Sequence, residues 1–144
     1  MVYNHSHERQ AAAIPVRNGK ICLVTSSSGR HWIIPKGHVP TGTTPAVLAA
    51  CEAWEEAGLL GSVAGSPCCT YCFEKAGREY QVEVYLLEVA RCVSDWPERR
   101  LRQRRWLPVA EAIQEIQPAA LRDALMQLVE QGVVISATPP SRAA

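Results

Sequence analysis

Apolar and polar positions along the chain mark out strands first and helices later. "QAAAIPVRNGKICLVTSS" reads as two short apolar strands joined by Asn-Gly, a dipeptide that favours tight hairpin turns. "HWIIPKG" adds a further short strand, ended by its proline and glycine. Beyond "LLGSVAGSP", the strands "CCTYCFEK" and "EYQVEVYLLEVA" flank the turn "AGR". In the second of these, Val82, Val84 and Leu86 alternate with Glu83 and Tyr85, the period of a half-buried strand. "RWLPVAEAIQEI" gives a strand end and a short helix, and "PAALRDALMQLVEQG" spaces Leu121, Leu125 and Leu128 at helical intervals before Gly132. Residues 1–7 and 135–144 read as loose tails around one domain spanning 8–134. Strands mixed with two or three helices predict an α/β (α+β) domain, a sheet with a helix layer on each side.

One helix has a pattern of its own. In "GHVPTGTTPAVLAACEAWEEAGL", Thr44 is a hydroxyl cap, Pro45 suits the first helical position and Gly58 suits the stop. At about 100° per residue, Glu52, Glu55 and Glu56 share one stripe. Val47, Ala50, Trp54 and Ala57 fall opposite, as the face expected to bury, with Cys51 on the border. The stripe is entirely acidic. Glu52 faces Glu55 and Glu56 at i+3 and i+4, each like-charge pair costing roughly 0.2–0.5 kcal/mol. All three lie toward the end of the helix where its dipole disfavours anions. A divalent cation would remove the repulsion, and clustered carboxylates suit Mg²⁺ or Mn²⁺. Gly37 and Gly42 have the spacing of a phosphate-cradling P-loop, but Thr43 stands where its lysine belongs, so that reading fails.

Composition narrows the class without naming a chemistry. The chain has 144 residues, 47% hydrophobic and 20% charged, enough for one domain with its own core. A net charge of +1 and a single phenylalanine give no broad basic, aromatic-studded surface for nucleic acid. No apolar run is long enough to span a membrane, and "MVYNHSHERQ" lacks a signal-peptide core, so a cytoplasmic protein is expected. Of the six cysteines, Cys69 and Cys72 form a Cys-x-x-Cys pair without a second pair, so zinc is not expected. Small buried apolar side chains are the expectation for Cys22, Cys51, Cys68, Cys69, Cys72 and Cys92.

The helix and its preceding loop resemble the signature of the Nudix hydrolases, Gly, five residues, Glu, seven residues, Arg-Glu-apolar-x-Glu-Glu-x-Gly-apolar. Gly37, Glu52, Ala53, Glu55, Glu56, Gly58 and Leu59 match in register. The resemblance implies a Nudix-type α/β/α sandwich with a mixed sheet. It also implies Mg²⁺- or Mn²⁺-dependent hydrolysis of a phosphoanhydride in a nucleoside diphosphate-linked or polyphosphorylated small molecule. By position, Glu52, Glu55 and Glu56 would be catalytic and metal-binding, with the Gly37 carbonyl a further ligand. Glu79 and Glu83 are alternative bases, although Glu83 reads more simply as a solvent-facing strand residue. Where the pattern has Glu and Arg, this chain has Thr43 and Cys51. A compensated swap predicts that Cys51→Arg alone destabilises the fold and that Thr43→Glu with Cys51→Arg is tolerated. The rival reading is a weakened module that binds nucleotides or polyphosphates without cleaving them.

Outside the signature, "RQAAAIPV", "SSSGRHWIIPKGH", "DWPE" and "RQRRWLPVAEAI" resemble the branch acting on diphosphoinositol polyphosphates and dinucleoside polyphosphates. By position, Arg9, Ser28, Arg30, Lys36, Arg102 and Arg104 would contact substrate phosphates. "ERRLRQRRW", if extended, sets Arg100, Arg102 and Arg104 on one face, where guanidinium forks suit phosphate oxygens. A charged sheet edge would use the same residues. His31 and His38 flank the site as phosphate contacts or plain surface histidines, and His5 and His7 lie in the tail.

Overall fold

Asn18 and Gly19 both sit in the left-handed region, at φ 51° and 75°, as the tight Asn-Gly hairpin requires. They join β1 (Glu8–Arg17) to β2 (Lys20–Thr25). The computed structural model describes residues 8–133 and Ile135. The remaining elements are β3 (Trp32–Ile33), β4 (Lys36–His38), α1 (Pro45–Ala57), β5 (Leu59–Val63), β6 (Cys69–Lys75), β7 (Arg78–Cys92), β8 (Arg104–Pro108), α2 (Val109–Glu115) and α3 (Ala119–Glu130).

All eight strands form one mixed sheet with the central order β3-β2-β1-β7-β5. β1 and β7 run parallel in its middle, from Glu8 opposite Tyr80 to Val16 opposite Glu88. Each of these long strands has a divided outer edge. β1 pairs with β2 near its end and with β4 near its start, where Ala11 lies opposite Gly37. β7 pairs with β6 over its first half and with β5 over its second. Helices cover both faces, giving the expected α/β/α sandwich. Ile14, Leu23, Val82, Ile113, Leu121 and Leu125 belong to the core under α2 and α3, while Ala11, Ala13, Ala49, Ala53, Ala57 and Leu87 belong to the core under α1.

Several local expectations need correction. β4 and β5 are additional strands; both are short, and the Pro-Gly and Gly-Ser punctuation around them masks pairing supplied by β1 and β7. β7 is not half-buried, because Tyr85, Leu87 and Val89 are buried beneath α1 while Val82 and Val84 are buried beneath the other helices. Only Cys22 among the cysteines is fully buried; Cys51, Cys72 and Cys92 are exposed, and all six thiols are free. Arg99, Arg100 and Leu101 lie in a turn, so Arg100 does not share an extended face with Arg102 and Arg104. Ile135, placed at the start of a tail, is 3% exposed and joins the core. The rest of both tails, with His5 and His7, lies outside the described residues.

Candidate active site

α1 begins and ends as its sequence dictates. Thr44 Oγ1 accepts from Val47 N at 3.3 Å, Pro45 opens the first turn, and Gly58 closes the helix at φ 67°. Its buried face differs from the expected one. Leu48, Ala49, Ala53, Glu56 and Ala57 are buried, whereas Val47 is 53% exposed and Ala50 and Trp54 are half-buried. The reason is close packing: Ala49, Ala53 and Ala57 meet Ala11 and Ala13 of β1, and small residues on both sides let the helix lie tight against the sheet. A helix so close carries Glu56 inward with the alanines.

Gly37 sits on β4, which packs directly against this helix. A Cβ at that position would overlap the Glu52 carboxylate, so only glycine leaves room for it. Glu52 and Glu56 share a hydrogen bond. Burial, then that bond, pushes the Glu56 carboxyl up to about 9, and the nearby charges of Glu52 and Glu98 act in the same direction. Burial also raises Glu52, helped by Glu55 and Glu98. Glu56 is 4% exposed, and its Oε1 is buried without a hydrogen-bond partner. The nearest cation to that oxygen is Arg102, whose Nη2 lies 3.9 Å away, an ion-pair separation rather than a hydrogen bond.

An orphaned, buried carboxylate oxygen beside a second carboxylate and an open backbone position fits an oxygen-ligated divalent cation. Among the described residues, no three His, Cys, Asp or Glu side chains yet converge on one point. Glu55 is exposed rather than buried with the other two, although its charge still acts on Glu52. The preformed part of the site is therefore Glu52, Glu56 and Gly37.

Glu98 is the acidic neighbour that pattern reading missed. It lies in the turn before β8, where Arg102 Nε holds its carboxylate at 2.8 Å, and its charge reaches both Glu52 and Glu56. Its only trace in the sequence is the "DWPE" segment, whose docking against α1 is a tertiary event.

The candidate phosphate contacts divide into three groups. Lys36 and Arg102 converge on the carboxylates. Burial lowers the Lys36 ammonium, and attraction from Glu56 opposes that; Lys36 Nζ donates to Gln10 Oε1 at 3.2 Å and lies 4.8 Å from the Phe73 ring centroid. Ser28 and Arg30 lie in the β2–β3 loop, exposed, next to a cleft lined by Thr25, Gly29, Arg99, Arg100, Arg102 and Gln103. Arg9 and Arg104 are already engaged. Arg9 makes two hydrogen bonds to Glu83, which also accepts from the Tyr85 hydroxyl at 3.0 Å. Glu83 is thus a paired residue with a 20% exposed side chain, not a solvent-facing one. Arg104 donates to the Ala57 carbonyl at 2.8 Å and lies 4.1 Å over the Trp96 ring. His31 is exposed, and His38 is exposed with Nδ1 3.6 Å from Glu8.

Comparison with known proteins finds relatives over most of the chain. The model of the NUDIX domain matches residues 7–128. Nudix hydrolase 13, mitochondrial, of Arabidopsis thaliana is 29% identical over 87% of this chain and 69% of its own length. Diphosphoinositol polyphosphate phosphohydrolase 2 of Rattus norvegicus is 33% identical over 76% of this chain and 63% of its own. The chain therefore spans about two thirds of these relatives. Among solved structures, a NUDIX hydrolase from Nitrosomonas europaea superposes with a TM-score of 0.72 at 17% identity, covering 92% of this chain and 94% of that one. A C. elegans Ap4A hydrolase gives 0.69 at 20% identity, covering 89% and 99%.

Proposed function

Because the chain belongs to the Nudix family, we propose that it is a Mg²⁺- or Mn²⁺-dependent pyrophosphohydrolase acting on a dinucleoside polyphosphate or a diphosphoinositol polyphosphate. The observation that carries this reading is the buried, unpartnered Glu56 oxygen beside Glu52 and opposite Gly37. Glu52, Glu56 and the Gly37 carbonyl would hold the cation, with Glu55 and Glu98 at its margin. When bound, it neutralises phosphate charge and lowers the pKa of a water that attacks phosphorus.

The chain's own groups supply the rest. Lys36 and Arg102 bring positive charge to the same carboxylates and would receive the phosphates next to the scissile bond. The cleft of about 270 Å³ beside Gly29, Arg99 and Arg100 gives further phosphates a basic wall, with Ser28 and Arg30 at its rim. Arg9 would reach substrate only by leaving Glu83. The names of the relatives point to the same polyphosphorylated substrates. Among the described residues no helix is long and apolar enough to cross a membrane. The six free thiols fit a reducing compartment, and the cytoplasm is proposed for that reason.

Phosphate release from diadenosine and diphosphoinositol polyphosphates, measured with and without Mg²⁺ or Mn²⁺, tests the proposal. Turnover should require the metal and fall at least a hundredfold in Glu56→Gln. Measurable binding without turnover of any substrate would favour the non-cleaving module.

A further inference from the structure

α1 ends on four backbone carbonyls that its own turns cannot satisfy, and the chain has dedicated one segment to them. Glu98 N donates to Glu55 O at 3.0 Å, and Val93 N donates to Gly58 O at 3.0 Å. Between these, Trp96 Nε1 donates to Glu56 O at 2.9 Å, and Arg104 Nη1 donates to Ala57 O at 2.8 Å. The two side chains brace each other, with the guanidinium 4.1 Å over the indole. Gly58 is shaped by the same contact, because a Cβ there would meet Trp96 Cβ at 2.9 Å and Arg104 Nη1 at 3.0 Å.

This segment offsets a specific weakness. The last turn of α1 contains no basic residue, yet it holds Glu55 and Glu56 at the negative end of the helix dipole. Arg104 brings the missing cation from β8, and Trp96 grips the carbonyl of Glu56 itself. Cys51 cannot contribute, being uncharged and exposed.

We propose that Trp96 and Arg104 are positioning residues for the carboxylate site. They hold the last turn of α1 by its backbone so that Glu56 faces Glu52 and Gly37, and neither touches substrate. Arg104, a phosphate-contact candidate by position, thus works behind the carboxylates. The inference rests on the metal-dependent reading above and extends it to residues outside the signature.

Mn²⁺ binding measured by calorimetry without substrate separates the two claims. Trp96→Phe keeps the ring and loses the donor; Arg104→Met keeps the length and loses the charge. Each should weaken Mn²⁺ binding several-fold and lower kcat about tenfold with KM unchanged, and Arg104→Lys should recover part of both. Leu125→Ala, in the core beneath α3, serves as a control: it should lower Tm without changing Mn²⁺ affinity. Wild-type affinity in Trp96→Phe and Arg104→Met overturns the proposal. So does a rise in KM alone for Arg104→Met, which would make Arg104 a substrate contact. If wild type binds Mn²⁺ but cleaves nothing, the hydrolase reading fails, and the affinities still decide the positioning claim. A wild type that binds no Mn²⁺ overturns both.

Discussion

Single residues in this site are best separated by whether they carry structure or chemistry. Under the proposed function, Gly37 carries chemistry. An added methyl would strike the end of the flexible Glu52 side chain, which can swing aside, rather than backbone. Gly37→Ala should therefore cost less than about 1 kcal/mol of stability while weakening Mn²⁺ binding at least tenfold; parallel urea unfolding and calorimetry would check the separation. Cys51 carries neither. Its exposure removes the reason to expect a buried orphan charge in Cys51→Arg, so the compensated-swap expectation is corrected. An arginine there would reach solvent and stand one helical turn from Glu55. Cys51→Arg should shift stability by no more than about 0.5 kcal/mol, read as a near-wild-type denaturation midpoint.

Among the elements, α1 shows what sequence reveals and what it hides. Its ends were legible because capping is local: Thr44, Pro45 and Gly58 act on neighbours a few positions away. Its buried face was not legible. Pattern reading assigns large apolar side chains to the inside, yet here Val47 is exposed and small Ala49 and Ala53 are buried beside a carboxyl. That inversion arises from the alanines of β1, some forty residues earlier in the chain, and no window along the helix contains them. The signature singled out Gly37, Glu52 and Glu56, which the fold brings together, but not Glu98 or the strap around Trp96, whose contacts depend on tertiary docking. The alanine contact also makes a prediction. Ala53→Leu would lift α1 from β1, costing about 1–3 kcal/mol, and would reduce metal affinity because Glu56 travels with the helix. Thermal melts in excess Mn²⁺ should show a smaller ligand-induced Tm rise than in wild type.

For the whole molecule, the two cores beneath the two helix layers give stability a defined alkaline limit. Burial, reinforced by Cys92, raises the Cys22 thiol from about 9 to about 12, and burial also raises Tyr71. A folded-state pKa above the unfolded value contributes stability that is complete below the ordinary thiol pKa and is lost as pH climbs toward the raised one. Stability should therefore begin to fall above pH 9, with Cys22 alone accounting for about 4 kcal/mol by pH 12. Cys22→Ala should show a shallower decline of Tm across pH 9–12.

The parallel pairing of β1 with β7 has a consequence for how the protein comes into being. β1 leaves the ribosome well before β7, its central partner, which is complete only at Cys92. Until then the N-terminal hairpin presents an apolar strand with one open edge, the kind of surface that recruits other chains. Synthesis rate and chaperone access over this interval therefore bear on the yield of folded protein, and a chain halted before β7 cannot complete its central sheet.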